Sequence, residues 1–331
     1  MEFVNIHGTN LNPSRIGLGT WAIGGWMWGA SDEEQSICTI HAALDRGVNL
    51  IDTAPVYGFG RSEEIVGKAL GRYGRRDQVI LATKVGLEWK DGQVSRNATR
   101  QRILHEIEDS LRRLNTDYID IYQVHWPDPA TLIEDTALVM DLLYRQGKIR
   151  AIGVSNFSPG QAERFREVAL LHVHQPPYNL FEREIEEDVL PCCHHRRIVT
   201  LTYGALCRGL LSGKMRLETQ FTGDDLRKAD PKFKAPRFAN YLNAVAALER
   251  FARDRHGKSV LHLAMRWLLD QPDVGVALWG ARRPEQLDPI DDVMNWKLDE
   301  DDLRQIDVIL ARYIKDPVGP QFMAPQLPLR A

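Results

Sequence analysis

Three short apolar segments of the chain each end in a side chain that can exchange a proton or a hydrogen bond. Asp52, Lys84 and His125 close these segments, and Tyr57 follows Asp52 in a turn rich in Pro and Gly. Because a buried Asp needs a cation, Asp52 predicts a pairing with a basic residue from a neighbouring strand, and Lys84 is available for it. Tyr57 is an unusual residue for a plain turn, and its alternative role is that of an aromatic plug in a surface loop.

These four residues suit acid–base chemistry at a carbonyl group. A nearby cation stabilises a phenolate, so we expect Lys84 to lower the pKa of Tyr57 from its ordinary value of about 10 and to make it a general acid near neutral pH. His125 would hydrogen-bond the carbonyl oxygen and orient the substrate. Since no activated nucleophile is evident, a hydride from a nicotinamide cofactor would complete the reaction at the carbonyl carbon.

The elements that would carry these residues alternate between strand and helix. Residues 16–294 contain eight predicted strands, each followed by a helix, and this alternation indicates a parallel sheet. Eight such units favour a closed (β/α)8 or TIM barrel, in which catalytic residues lie at the carboxyl ends of the strands. No Gly-x-Gly-x-x-Gly follows the first strand, which disfavours a dinucleotide-binding domain of the doubly wound type.

We expect one domain, residues 1–331, with the barrel core at about residues 16–294. Turn residues and short apolar runs describe the remaining segments. These are a β-hairpin at residues 2–12, a loop at 86–92, an irregular insertion at 204–236, and a C-terminal helix and tail at 295–331 with the tail extended from residue 316.

The composition is that of an ordinary globular protein, with 44% hydrophobic and 26% charged residues. A formal net charge of −3 argues against binding to nucleic acid or to an anionic membrane. We expect a cytoplasmic protein with reduced cysteines, because we find neither a membrane-spanning run nor a secretory signal. We expect no metal site at Cys192-Cys193-His194-His195, since consecutive helical side chains point about 100° apart.

Several short motifs stand in a fixed order along most of the chain. They are Gly19-Thr20-Trp21, residues 49–54 with Tyr57-Gly58, Thr83-Lys84, residues 119–127, residues 147–157, residues 209–214 and residues 280–283. In this order they resemble the aldo-keto reductase superfamily, in particular its bacterial NADPH-dependent aldehyde reductases. The resemblance implies that Tyr57 is the proton donor and that Asp52, Lys84 and His125 are its catalytic partners.

The same resemblance implies a nicotinamide cofactor, NADPH or NADP. Ser155, Asn156 and Gln175 match the residues that hold the nicotinamide carboxamide, and each carries donors or acceptors suited to an amide. Tyr203 matches the aromatic residue that stacks on the nicotinamide ring. The implied substrate is a small carbonyl compound, such as an aldehyde, a hydroxyaldehyde or a sugar.

The phosphate-binding residues are also implied by the resemblance. Residues 210–214 match the loop around the pyrophosphate, and Arg282 and Arg283 match the segment around the adenosine 2′-phosphate, which favours NADP over NAD. Ile290 departs from the pattern, because many relatives carry an asparagine there for the adenine. The full set of implied cofactor residues is Thr20, Trp21, Asp52, Ser155, Asn156, Gln175, Tyr203, Gly204, Leu206, Arg208, Gly209, Leu210, Lys214, Gly280, Arg282 and Gln286.

Substrate contacts are expected from aromatic residues in the loops, although each of these could instead only pack within its loop. The candidates are Trp21, Tyr57, Trp89, His125 and Trp126, with Trp26 and Tyr178 as further members of an apolar wall.

Two other readings keep the barrel and change its activity. The first is a nicotinamide-sensing regulatory subunit similar to potassium-channel β subunits, and we expect an enzyme instead because no long segment precedes the barrel to block a channel. The second is an aldolase with Lys84 as its Schiff-base lysine. That role needs Lys84 without a paired carboxylate, whereas Asp52 is positioned to keep Lys84 charged.

Overall fold

The computed structural model of the chain describes residues 1–327. The strands are β1 Ile16–Gly19, β2 Leu50–Asp52, β3 Ile80–Val85, β4 Leu87–Lys90, β5 Gln93–Arg96, β6 Ile119–Val124, β7 Ile149–Ser155, β8 Val173–Gln175, β9 Val199–Thr202 and β10 Val276–Gly280. The helices are α1 Trp21–Gly24, α2 Glu33–Asp45, α3 Arg61–Tyr73, α4 Arg100–Leu114, α5 Ile133–Arg145, α6 Pro159–Arg166, α7 Val189–Arg196, α8 Arg237–His256, α9 Val260–Asp270, α10 Ile290–Val293 and α11 Glu300–Tyr313.

Eight of the strands pair in parallel and close into a barrel in the order β1-β10-β9-β8-β7-β6-β3-β2. The prediction of a (β/α)8 TIM barrel is therefore confirmed. β3 and β6 are buried along their whole length, as expected for strands covered by helices on the outside and by side chains within. The surrounding helices bury one face each; in α4 this face includes Ile103, Ile107 and Leu114.

The N-terminal segment closes the amino-terminal end of the barrel. Its backbone pairs in antiparallel fashion, as the predicted hairpin requires. Val4 N donates to Pro13 O and Ile6 N donates to Leu11 O, and each of these two hydrogen bonds is 3.0 Å long. Only one residue pair, Phe3 with Ser14, forms a regular bridge. The fully buried Ile6 packs in the cluster of strand residues that fills this end of the barrel, so the segment acts as a plug.

The loop prediction for residues 86–92 is wrong, because β4 and β5 form an antiparallel hairpin there. Trp89 pairs with Val94 in its register, and the turn at Asp91 and Gly92 has positive φ at both residues. The tail is extended except for a single turn at Gln321–Met323, and it returns to pair Gln326 with Ser95 of β5. Residues 328–331 of that prediction lie outside the described residues.

Among residues 1–327, no helix is both long and apolar enough to cross a membrane. The same part of the chain holds no group of three or more His, Cys, Asp or Glu side chains arranged for a metal ion. The Cys-Cys-His-His segment lies in α7, where Cys193 contacts His174 and His194 contacts Asp273.

Candidate active site

The carboxyl ends of β2 and β3 bring an acid, a base and a phenol into contact inside the barrel. The fully buried Lys84 Nζ donates a hydrogen bond to Asp52 Oδ2 over 2.6 Å, which confirms the predicted pairing. The same ammonium donates to the backbone oxygen of Thr53 at a distance of 2.9 Å and to Oη of Tyr57 at a distance of 3.3 Å. All three N–H groups of Lys84 are therefore engaged.

The second carboxylate oxygen of Asp52 accepts hydrogen bonds from two side-chain amides, and the sequence analysis did not predict either of these contacts. Gln175 Nε2 donates to Asp52 Oδ1 at a distance of 2.8 Å, and Gln123 Nε2 donates to the same atom at a distance of 3.2 Å. The two amides are themselves joined, from Gln175 Nε2 to Gln123 Oε1 over 3.2 Å. Asp52 is thus a buried carboxylate with a cation on one oxygen and two amides on the other.

The loop that presents Tyr57 is fixed by a close approach of two backbones. A Cβ atom at Gly24 would lie 2.5 Å from the carbonyl atoms of Tyr57, so only glycine fits there. The ring of Trp21 stacks on Tyr57 at 5.7 Å between centroids, and the ring of His125 meets Tyr57 edge-on at 5.8 Å. These contacts pack the phenol between Trp21 and His125, with its hydroxyl in hydrogen-bond distance of Lys84.

The expectation that Lys84 lowers the pKa of Tyr57 is wrong. Burial raises the pKa of Tyr57 well above its ordinary value of 10.0, and the negative charge of Asp52 raises it further. The physical reason is that Asp52 lies beside Lys84 and opposes its charge, so the phenol experiences the desolvation of the site without a net cation. Tyr57 is therefore a neutral phenol across the physiological pH range and can donate a proton throughout that range.

His125 is also uncharged near neutral pH. Burial, and then repulsion from Lys84, lower the pKa of His125 well below its ordinary value of 6.5. Burial lowers the pKa of Lys84 as well, and the charge of Asp52 opposes this shift. A neutral imidazole can donate one hydrogen bond to a carbonyl oxygen without placing a second cation next to Lys84.

Two connected cavities, of about 430 and 400 Å³, meet at Tyr57. The first is a long groove that runs from Tyr57 toward the loop after β10. The predicted cofactor residues that line this groove are Thr20, Trp21, Asp52, Gln175, Tyr203, Gly204, Leu206, Arg208, Gly209, Lys214, Gly280, Arg282 and Gln286. The second cavity is more enclosed by aromatic side chains, and its predicted members are Trp21, Trp26, Tyr57, His125, Trp126, Ser155, Asn156, Gln175 and Tyr203.

The residues implied for the nicotinamide carboxamide are already connected to one another. Tyr203 Oη donates to Asn156 Oδ1 over 2.8 Å, and Asn156 Nδ2 donates to Ser155 Oγ over 3.0 Å. Ser155 Oγ in turn donates to the backbone oxygen of Gln175 over 2.8 Å. Asn156 has a left-handed backbone, with φ 61°, which turns its amide toward Tyr203 at the junction of the two cavities.

Several predicted or considered residues do not line either cavity, and Arg283 and the fully buried Lys84 are among them. Trp89 packs instead against Phe59, with 5.6 Å between ring centroids, because β4 turns it onto the neighbouring loop. Tyr178 is fully buried against Trp267. Leu210 and Ile290 are buried members of the hydrophobic core, so their apolar side chains stabilise the loops rather than line the groove.

The far end of the groove carries positive charge from Arg227 and Arg282, and Arg227 is paired with Asp225. Arg282 lines the groove and donates to the backbone oxygen of Trp28 over 2.7 Å. Burial lowers the pKa of Arg282, and the charges of Arg227 and Arg283 lower it further, while the charge of Asp225 opposes the shift. Arg208 lines the groove, but its guanidinium is buried in ion pairs with Glu182 and Asp230, so it supports the loop rather than offering a free charge.

Sequence reasoning missed three groups at the site. Gln123 of β6 lies two residues before His125, which directly follows the strand, and the period of two along a strand could have shown that both point inward. Arg227 comes from the insertion at residues 204–236, and its position has no local signal. The third group is the tail, which the sequence implicates in substrate choice without identifying residues; Phe322, Met323, Ala324, Pro325 and Gln326 line the second cavity.

The closed barrel, with a phenol, an ammonium and an imidazole between two connected cavities, defines a TIM-barrel enzyme. The aldo/keto reductase family profile matches residues 15–311, so the chain belongs to this family, as its motifs predict. It is accordingly an oxidoreductase that depends on a nicotinamide cofactor.

Two relatives and one solved structure illustrate the similarity. Aldo-keto reductase YhdN of Bacillus subtilis is 62% identical over 325 residues, which are 98% of each chain. The NADH-specific methylglyoxal reductase of Escherichia coli is 36% identical over 304 residues, which cover 87% of this chain and 91% of the relative. The structure of the glycerol dehydrogenase AKR11B4 from Gluconobacter oxydans matches with a TM-score of 0.88 and 52% identity, over 97% of this chain and 99% of that chain.

Proposed function

We propose that the protein reduces small aldehydes and hydroxyaldehydes to alcohols with NADPH, and that Tyr57 is the general acid. The observation that supports this most directly is the Tyr57 phenol, which borders both cavities and contacts a buried ammonium at 3.3 Å. A bound nicotinamide cofactor would supply the hydride for the carbonyl carbon. The remaining chemistry is proton delivery to the carbonyl oxygen, which the residues of this chain can perform.

In this proposal Tyr57 holds its proton until the substrate oxygen becomes basic. Its raised pKa keeps the phenol protonated before the reaction. The substrate oxygen would become alkoxide-like during the reduction and would then be a stronger base than a phenolate, so it would take the proton from Oη of Tyr57. The phenolate that remains is stabilised by Lys84, and neutral His125 can donate a hydrogen bond to the same substrate oxygen.

The groove suits a dinucleotide in shape and in charge. Its inner end offers the oxygen Oε1 of Gln175, which accepts no hydrogen bond within residues 1–327, and its outer end carries Lys214 and Arg282. Ser155 and Asn156 would hold the carboxamide, and Tyr203 would lie against the nicotinamide ring. Arg282, which lines the outer end of the groove, would bind the adenosine 2′-phosphate, and this is the basis for proposing NADPH rather than NADH.

The substrate class is proposed from the second cavity and from the relatives. Trp21, Trp26 and Trp126 give this cavity an aromatic wall, while His125 and Tyr57 provide polar groups at one end. Two relatives are named for three-carbon oxygenated compounds, glycerol in one case and methylglyoxal in the other. We therefore expect glyceraldehyde and methylglyoxal to be reduced.

The test of Tyr57 follows NADPH absorbance with methylglyoxal or glyceraldehyde. We expect Tyr57→Phe to lower kcat/KM by about 100-fold or more, since a positioned general acid contributes roughly that much. Tyr122→Phe is the matched control, because Tyr122 is another buried tyrosine whose hydroxyl makes no hydrogen bond among the described residues. A loss of only a few-fold in Tyr57→Phe would exclude the proposed role.

The cofactor preference is tested separately by titrating the protein with NADPH and NADH. We expect NADPH to bind more tightly, and Arg282→Ala to weaken NADPH binding by about 10-fold or more while changing NADH binding little, because a charge-assisted guanidinium–phosphate contact is lost. Tighter binding of NADH by the unmodified protein would contradict the assignment of Arg282. The measurement matters because one relative is named as NADH-specific.

A further inference from the structure

The amide of Gln123 joins two parts of the site that act on different reactants. Its Nε2 donates a hydrogen bond to Asp52 Oδ1, and its Oε1 accepts one from Gln175 Nε2, each with a length of 3.2 Å. Asp52 supports Lys84 and, through it, Tyr57, whereas Gln175 lines both cavities. Gln123 itself is fully buried and lines neither cavity, so any effect it has must pass through its two partners.

The pattern of donors and acceptors fixes which way the Gln175 amide points. Its Nε2 has two N–H groups, and these are used by Asp52 Oδ1 and Gln123 Oε1. A flipped amide would place the single oxygen Oε1 of Gln175 against both Asp52 Oδ1 and Gln123 Oε1, which is repulsive. The Gln175 Oε1 atom, which accepts no hydrogen bond within residues 1–327, is therefore the polar atom that Gln175 offers to a ligand.

The neighbouring strand makes room for this arrangement. Gly153 of β7 is the register partner of Gln123, and a Cβ atom at Gly153 would lie 2.7 Å from Cγ of Gln123. Any larger residue at Gly153 would push the Gln123 side chain away from Asp52. The glycine and the glutamine thus form a pair, and a change at either one can be used to disturb the same two hydrogen bonds.

We propose that Gln123 is a positioning residue that holds Asp52 and orients Gln175, so that proton delivery and cofactor binding depend on one amide. The proposal rests on the proposed function, in which Asp52 supports the general acid and Gln175 contacts the cofactor. It predicts that loss of the Gln123 amide changes both kcat and the affinity for NADPH. A residue that only filled space would change neither.

The first experiment replaces Gln123 with methionine, which keeps the length of the side chain and removes its donor and acceptor. NADPH binding is measured by quenching of tryptophan fluorescence, and kcat by NADPH absorbance with methylglyoxal. For Gln123→Met we expect about a 5- to 10-fold rise in Kd and about a 10-fold fall in kcat, as for lost hydrogen bonds to a charged network. Gly153→Ala, which retains the amide, should produce the same two changes.

Gln123→Glu provides a signature that a loss of stability alone would not produce. A protonated carboxyl can donate to Asp52 and accept from Gln175 as the amide does, but a carboxylate there would repel Asp52. The charged and titratable groups that face this position are Asp52, Lys84, Tyr57 and His125, and only the new carboxyl differs from the unmodified protein. We expect near-normal kcat at low pH and a loss of activity at higher pH that the unmodified protein lacks.

Tyr122→Phe, on the same strand, is the control and should leave both quantities unchanged. Unaltered Kd and kcat in Gln123→Met and Gly153→Ala, measured on proteins that melt cooperatively, would overturn the proposal, as would a pH profile of Gln123→Glu that matches the unmodified protein. If the unmodified protein binds NADPH but reduces no aldehyde, the proposed function fails, and the Kd measurements still test Gln123.

Discussion

Removing the cation from the buried pair gives the most direct test of how this site is held together. Lys84→Met keeps most of the side-chain volume and leaves Asp52, which is only 3% exposed, with two amide donors and no counter-charge. Breaking a buried ion pair in this way costs about 3–5 kcal/mol, because the remaining charge stays desolvated. We expect a loss of that size in the free energy of unfolding at pH 7.

Asp52→Asn/Lys84→Met separates charge from packing. The double variant removes both charges, so it should recover at least about half of the stability that either single change loses, and the two changes should be strongly non-additive in a double-mutant cycle. The assay is urea unfolding followed by circular dichroism. In Lys84→Met alone the unpaired carboxyl should have a raised pKa in the folded state, so the deficit should shrink as the pH falls.

In this series of variants, the recovery of stability should not be accompanied by a recovery of activity. The double variant regains stability but lacks the hydrogen bond to Tyr57, so we expect it to remain at least about 100-fold below the unmodified protein in kcat/KM. Two results would refute the reasoning. One is a Lys84→Met protein destabilised by less than about 1 kcal/mol, which is the range of an exposed pair; the other is a double variant no more stable than the single ones.

Two further predictions concern the backbone and the pH dependence. Gly24→Ala should displace Tyr57 and lower kcat/KM by about 10-fold or more. Gly71→Ala, in α3 with open space around it, should instead stabilise the protein by about 0.5–1 kcal/mol. Equal effects of the two substitutions on activity would argue against the close approach of the Gly24 and Tyr57 backbones. Burial lowers the pKa of His174 to about 4, so the unfolded chain binds more protons than the folded one between about pH 6.5 and 4, and stability should fall by up to about 3 kcal/mol as the pH decreases through that window. Melting curves against pH should therefore show a smaller acid loss in His174→Gln, and an unchanged slope would contradict this assignment.

The sequence was sufficient to predict the barrel because the signals for it are local and repeated. Each strand is a short apolar run and each helix has a periodic apolar face, as in α4, so eight consistent units indicate a closed parallel sheet. The convergence of Asp52 with Lys84 was also predictable, since both end neighbouring strands and a buried carboxylate needs a cation. These inferences depend only on the order of elements and on charge.

The direction of the pKa shift of Tyr57 was not predictable, because it depends on how completely the folded site buries the phenol and on where Asp52 lies. Lys84 favours phenolate, while burial and Asp52 disfavour it, and only the geometry shows that the second set prevails. The hairpin of β4 and β5 was missed for a different reason, since its short strands alternate weakly and are stabilised by contact with the tail. The cavity wall at Phe322–Gln326 is likewise a tertiary contact between segments far apart in sequence.

The contacts of Asp52 explain why this chemistry needs a closed barrel. In the strand order, β8 is four positions from β2 in either direction, so it lies directly opposite β2 across the barrel. Gln175 of β8 nevertheless donates a hydrogen bond of 2.8 Å to Asp52 of β2. The carboxylate must therefore lie near the barrel axis. In an open sheet these two strands would be about 19 Å apart, four spacings of roughly 4.8 Å, and the bond could not form. The carboxylate thus links the side of the barrel that carries Tyr57 and Lys84 to the side that carries Gln175, and the same hydrogen bonds that close the interior bring the proton donor to the proposed cofactor site.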